Sequence, residues 1–308
     1  RESHGAAQVG EAGAFFTVQR DPLASTRLTM QFTKDDSKLL GELRTAMGTL
    51  GEDESKYVTD HTLRRYLKAR KNDVPKAAKL LRGTLDWRKD YGVKGIKAEN
   101  VSEAACGGKL YTMGCDKTGR PVLFMRPALD TCRDAHDLNI KHLVYNMERA
   151  ISYLDEANGI GKIIVVLDCL HYSSSSSPPF KTSKMTLKIL QDHYPERLGK
   201  FLILSAPWYF HMFFKAISPF IDPDTKHKIE FVTPKDNAGI RAELERHFIM
   251  SKFPEYLHGD WKADEAFNAS TYYTPDGEEQ GGELVRSLRE EQARLNPVAN
   301  EDIMVFNK

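Results

Sequence analysis

"YPERLGKFLILSAPWYFHMFFKAISPFIDPDTKHKI", residues 194–229, sets three textures side by side. "KFLILSAP" is apolar on successive residues, so a strand there is buried on both faces, as in a parallel sheet covered by helices. From Trp208 onward the apolar residues recur at helical spacing. Phe213, Ile217 and Phe220 fall on one face, Phe214 and Ile221 lie beside them, and Trp208 and Tyr209 stand at the start. Pro219 and "DPDT" break that helix and restart it, with Asp222 or Asp224 as the new cap. The restarted turn carries Thr225, Lys226, His227 and Lys228, and Thr225 and Lys228, three apart, share a face. Two readings follow. One is an ordinary core helix ending in a solvated basic turn. The other is a lid over an apolar cavity, closed by a hydroxyl and an ammonium that hold an anion at a helix N-terminus.

Working outward, "GRPVLFMRP" (119–127), "KIIVVLDCL" (162–170) and "KIEFV" (228–232) repeat the strand texture. Helical patterns separate them, one carrying Leu143, Met147, Ile151 and Leu154 and another Met185, Leu187, Ile189 and Leu190. Strand alternating with helix predicts an α/β domain: a mostly parallel sheet flanked by helices. Upstream, "TKDDSKLLGELRTAM" (33–47), "TDHTLRRYLKARK" (59–71) and "NDVPKAAKLLRGTLDWRKDYG" (72–92) each place a cap before an apolar stripe. Thr59 or Asp60 caps the second, and Asp73 caps the third with Pro75 in its first turn and Gly92 as its stop. The expected organisation is a flexible extension over 1–32, a helical module over 33–95, the α/β domain over 96–262, and a peripheral extension over 263–308 with one charged helix, "GGELVRSLREEQARL".

Composition narrows the function. The chain has 308 residues, with 44 Lys and Arg against 43 Asp and Glu, so no global field draws it to nucleic acid, and an anion site has to be local. The four cysteines form no CxxC pair and no zinc-type spacing, which predicts reduced thiols, no metal and a cytoplasmic setting. No secretory pattern opens the sequence and no run of about 18 apolar residues occurs. "GIGK" (159–162) precedes a strand instead of following one, and it lacks the third glycine of a dinucleotide fingerprint. Ser173, Asp168 and His171 or His193 could be read as a hydrolase triad, but no G-x-S-x-G elbow is present and "SSSSSPP" (173–179) reads as a loop. No catalysis is expected.

The 194–229 stretch resembles the signature segment of the CRAL-TRIO lipid-binding family, in particular its fungal-type phosphatidylinositol transfer proteins. "TLRRYLKARKNDVPKAAKLLRGTLDWRKDYGV" (62–93) is similar to that family's N-terminal helical module, "DKTGRPVLF" (116–124) to its first core strand, and "FPEYLHGD" (253–260) to its closing strand and turn. In the last, Leu257, His258 and Gly259 stand where an aromatic and two glycines are usual.

The resemblance implies an internal apolar lipid pocket with a headgroup site made of Arg70 and Lys71 in "ARK", Glu196 in "YPER", and Thr225 and Lys228 in the "DPxTxxK" turn. A phosphodiester takes cationic and hydroxyl donors, and inositol hydroxyls can donate to a carboxylate. It also implies that Trp208, Phe213, Phe214, Ile217, Phe220 and Ile221 line the acyl pocket or form its gate. For a second lipid the match fails. Members that carry phosphatidylcholine use tyrosines near the first strand and hydroxyls after a "DLKG"-like strand end. Here Leu123 and Thr112 stand at those places with Tyr111 adjacent, and the strand end is "DCLH" with Ser173 and Ser175 beyond. The implied ligands are phosphatidylinositol and another lipid or hydrophobe in place of a cofactor, and the implied partner is a transient membrane surface; an adaptor that presents the bound lipid to a lipid kinase is a competing reading. Another cargo on the same fold, a tocopherol, retinoid, sterol or porphyrin, is the alternative.

Overall fold

The computed structural model describes residues 34–105, 107–233, 236–262 and 266–295, and the backbone of 14–19 and 27–32. Two compact units divide them. One gathers the described residues up to Tyr91 with Asp155–Gly161, and the other Gly92–Leu154 with the described residues from Lys162 on.

In the first unit, strands β1 (Ala14–Gln19) and β2 (Arg27–Phe32) pair antiparallel, so part of the extension to which the sequence reading gives no structure is a two-stranded sheet. Helices α1 (Lys34–Met47), α2 (Glu52–Tyr57), α3 (Asp60–Lys68) and α4 (Val74–Asp90) follow. The caps lie where the sequence puts them: Thr59 accepts from Thr62 N at 3.2 Å, and Asp73 accepts from Lys76 N at 3.0 Å. Leu43, Leu63, Tyr66, Ala77 and Leu81 are fully buried between them. α2 has no apolar stripe to announce it. The Glu54 carboxylate accepting from Gly51 N at 2.8 Å fixes its start instead.

The second unit is built on a five-stranded sheet: β3 (Leu110–Cys115), β4 (Pro121–Met125), β5 (Ile163–Asp168), β6 (Leu198–Leu204) and β7 (Ile229–Val232), in that order. β4 to β7 run parallel and β3 pairs antiparallel to β4, so the first core strand is β3 and not the "GRPVLF" run. The short α5 (Ser102–Ala105) precedes β3. Helix α6 (His136–Ser152) links β4 to β5, and α7 (Phe180–His193) links β5 to β6. α8 (Trp208–Ile217) and the single turn α9 (Pro223–Lys226) link β6 to β7. After β7 come α10 (Asn237–Leu244), α11 (Ala269–Tyr272) and α12 (Pro275–Leu295).

Alternation along the strands divides the apolar residues into two faces. Val122, Phe124, Ile164, Val166, Leu202, Leu204 and Val232 form one core with Phe248, Phe253, Leu257 and Tyr272. Met125, Leu167, Phe201, Ile203, Ile229 and Phe231 form the other, with residues of α8. "FPEYLHGD" is not a strand: Glu255–Leu257 is a 3-10 turn, and only an isolated bridge joins Pro254 to Trp261. His258 takes the left-handed conformation (φ 67°) where glycine is usual, and at Gly259 a Cβ would collide with the Phe253 carbonyl oxygen.

Residues 266–295 of the segment expected to be peripheral are built into this unit. Tyr272 is 3% exposed, accepts from Thr112 N at 2.8 Å, and donates to Asn146 Oδ1 at 2.8 Å. Tyr273 donates to Leu110 O at 3.2 Å. The two phenols thus occupy the outer edge of β3, where an unpaired strand would otherwise stand open. Arg149 lies 3.5 Å over the Tyr272 ring, donates to Tyr153 OH at 2.8 Å and to Gly277 O at 2.6 Å, and Tyr145 donates to Glu278 at 2.6 Å. α12 approaches α6 so closely that a Cβ at Gly281 would meet Tyr153 OH.

Candidate functional site

α8 turns Phe210, Phe213 and Phe214 toward the sheet or the residues packed on it, and Ile217 is also buried. Phe231 is the hub: its ring meets Phe214 at 5.1 Å and Phe210 at 6.4 Å, and His211 stacks on it at 4.7 Å. Most of this cluster is only half-buried, including Phe201, Phe213, Phe214, Ile229 and Phe231. Phe220 departs from the expected face. Regular helix ends at Ile217, Pro219 sits in a 3-10 turn (Ser218–Phe220), and the changed phase swings Phe220 outward against Phe180, with ring centroids 5.9 Å apart. Ile221 returns to burial. Trp208 (75% exposed) and Met212 (62%) face solvent. Phe210, three residues before Phe213, is the deepest aromatic of the helix and was missed, although its helical spacing to Phe213 and Ile217 marks it.

The basic turn follows. Asp222 is its cap, accepting from Asp224 N at 2.9 Å, and Asp222 N donates to Gln191 Oε1 at 2.8 Å. Lys228 N donates to Thr225 O at 3.0 Å, and Phe201 N donates to Lys228 O at 2.8 Å, so the turn is pinned to β6 by main chain. Thr225 and Lys228 are half-buried one turn apart, and their side chains have no partner among the described residues, while Lys226 and His227 are exposed. A hydroxyl and an ammonium held this way can donate together to a phosphate oxygen. Glu196 lies just ahead of β6, as Thr225 and Lys228 lie just ahead of the adjacent parallel β7, so the three share the amino-terminal edge of the sheet. Glu196 is held in the left-handed region (φ 60°), which a non-glycine residue keeps only when its surroundings over-determine it. Lys200 on β6 is held by Glu230 at 2.7 Å. In the helical unit, Arg70 and Lys71 occupy the turn between α3 and α4. Lys71 is left-handed (φ 52°) and exposed, and Arg70 donates to Ala69 O at 2.8 Å.

The residues suggested for a second lipid do not come together. Tyr111 stacks on Phe124 at 5.0 Å in the densely packed core, and Leu123 alternates to the other face. Ser173 and Ser175 bond each other at 2.7 Å, and the carbonyl of Ser175 accepts from Arg133 at 2.9 Å. Asp168 accepts from Leu170 N at 2.8 Å and lies 3.5 Å from Arg126 Nε, while the Ser173 hydroxyl turns to Ser175 and Ser176, so no serine–acid relay is assembled there. Burial raises the Asp168 carboxyl, and it pushes the thiols of Cys115 and Cys169 up to about 12. Among the described residues no cluster of three His, Cys, Asp or Glu could hold a metal, and no helix is long and apolar enough to cross a membrane.

A mostly parallel sheet with one face packed solid and the other half-covered by a single aromatic helix defines a class, the α/β domains with one incompletely covered apolar face. The comparisons place the chain within it. The CRAL/TRIO domain model matches residues 106–259 and the CRAL/TRIO N-terminal domain model residues 34–83, and the chain belongs to the CRAL-TRIO family of lipid-binding proteins. It is 30% identical over 251 residues to a phosphatidylinositol transfer protein of Saccharomyces cerevisiae, covering 75% of this chain and 71% of that one. To a CRAL-TRIO domain-containing protein of Schizosaccharomyces pombe it is 37% identical over 205 residues, 67% of this chain but only 20% of that much longer protein. The crystal structure of Sfh5 shares the fold, with a TM-score of 0.57 at 19% identity over 66% of this chain and 82% of that one.

Proposed function

We propose that this protein binds phosphatidylinositol and transfers or presents it between membranes, without catalysing a reaction on it. The observation that carries this reading is the pair Thr225 and Lys228: half-buried, unpartnered among the described residues, and fixed at the end of the aromatic helix. α8 would cover the acyl chains while the turn holds the phosphate, and Glu196 accepts from inositol hydroxyls. Arg70 and Lys71 enter the proposal through the family resemblance alone. Enclosing acyl chains is favourable by about 0.8 kcal/mol per methylene, so exchange belongs at membranes and the empty closed form is rare. A cytosolic protein peripheral at membranes fits this cycle, and a lipid kinase fits as a recipient. The second ligand is left to a different hydrophobe, since the tyrosine and serine candidates are scattered.

Transfer of labelled phosphatidylinositol between vesicles tests it. Lys228→Ala should cut transfer by roughly tenfold or more, the scale of one lost charge-assisted hydrogen bond, and Thr225→Asp should abolish it by setting a carboxylate against the phosphate. Full transfer by both variants would sink the headgroup assignment.

A further inference from the structure

The large apolar side chains left exposed among the described residues are Leu170, Phe180, Trp208, Met212 and Phe220, and they are not scattered. Three belong to α8 and the turn after it. The other two flank the serine loop between β5 and α7, and that loop is tied to both ends of α8. At the N-terminal end, Tyr209 OH donates to the Tyr172 carbonyl and the two rings stack at 5.9 Å, with Tyr172 edge-on to Phe210 at 5.3 Å. At the C-terminal end, Phe180 meets Phe220 at 5.9 Å, and Lys184 Nζ lies 4.5 Å from the Phe220 ring centroid. Residues 172 and 180 therefore bracket the serines, and each end of the bracket grips one end of the helix.

Lysine predominates on the two helices that carry this surface, although Asp222 and Asp224 follow Phe220. α8 contains no acidic residue and carries Lys215, while α7 carries Lys181, Lys184 and Lys188 against a single acid, Asp192, which Lys188 holds at 2.7 Å. An exposed tryptophan, a methionine and two phenylalanines beside unneutralised lysines fit an anionic bilayer surface.

Resting on the lipid-transfer reading above, we propose that the bilayer contact is a composite surface, α8 together with the 170–184 segment, and that the Tyr172–Tyr209 and Phe180–Phe220 pairs are latches holding α8 shut. The phenylalanine latch is built from residues that themselves face the bilayer. Acyl chains compete for Phe180 and Phe220, so docking loosens the grip on the helix that must open, and opening in water stays unfavourable.

Three variants test this, each first checked by native mass spectrometry for bound phosphatidylinositol and then mixed with phosphatidylcholine vesicles containing phosphatidylserine. Trp208→Ser and Phe180→Ser should each weaken vesicle binding by roughly tenfold or more. Tyr209→Phe, which removes only the hydroxyl, should raise hydrogen exchange across 208–217 about fivefold without vesicles. If Phe180→Ser binds vesicles as tightly as the parent, the surface is not composite. Unchanged exchange in Tyr209→Phe refutes the tyrosine latch. Either failure in protein still loaded with phosphatidylinositol overturns this proposal alone, whereas a parent protein that takes up no phosphatidylinositol overturns the reading beneath it.

Discussion

The two faces of the β3–β7 sheet come from the same strands and similar residues, yet they are covered differently. On one face Val122, Phe124, Ile164, Val166, Leu202, Leu204 and Val232 are all within 3% of full burial. On the other, Met125, Phe201, Ile229 and Phe231 keep part of their surface uncovered beneath α8. Close packing is what makes a native state unique, and half-covered apolar surface is what a ligand can complete. The first face thus carries stability, and the second is the one on which the proposed ligand would sit.

The largest effect that would break this contrast is expected at Phe124. Phe124→Ala removes a ring packed against Tyr111 and Phe253 and should cost about 3–5 kcal/mol in denaturant unfolding. A loss below about 1 kcal/mol would mean that the packed face is not the stabilising one.

Next comes pH. His142 is fully buried and its Nε2 shares a hydrogen bond with Tyr273 OH at 2.7 Å; burial, with Lys109 nearby, pushes its imidazole down to about 3. The unfolded chain takes up that proton near pH 6.5, so stability is full above 6.5 and falls as the pH drops toward 3, at about 1.4 kcal/mol per pH unit from this group. Unfolding midpoints measured across that window should slope accordingly, and His142→Gln should flatten the slope. An equal slope in the variant would assign the acid sensitivity elsewhere.

The smallest stability effect belongs to the other face. Phe231→Ala, at a half-buried hub, should cost only about 1–2 kcal/mol but reduce the amount of lipid recovered with the purified protein. Normal lipid content in this variant would dissolve the contrast.

Much of this was legible in the chain because the signals were local. Thr59, Asp73 and Pro75 announce their helices within one turn, and the parallel strands declare themselves by unbroken apolar runs. β3 did not, because Gly114 (φ 64°) and a register shift between Thr112 and Cys115 break the alternation that marks a strand. Phe220 was placed on the wrong side because Pro219 tightens the last turn, which helical spacing cannot register. The tyrosine pair was hidden for another reason: "STYYTPDG" looks like a polar loop, and its partners Thr112, Asn146 and Arg149 lie more than a hundred residues away. The lysine and threonine of the basic turn were singled out by spacing, but their headgroup role is implied by resemblance alone, since a charge run looks the same whether it is solvated or binding.

The phenols of Tyr272 and Tyr273 have a consequence for anyone trimming this chain. They stand where a sixth strand would bond, and so they set the width of the sheet. A fragment ended at the family domain's last residue would keep every strand and lose its terminator. Such a fragment would be prone to swap or stack through β3, and its clumping would be easily mistaken for a fault in the lipid pocket.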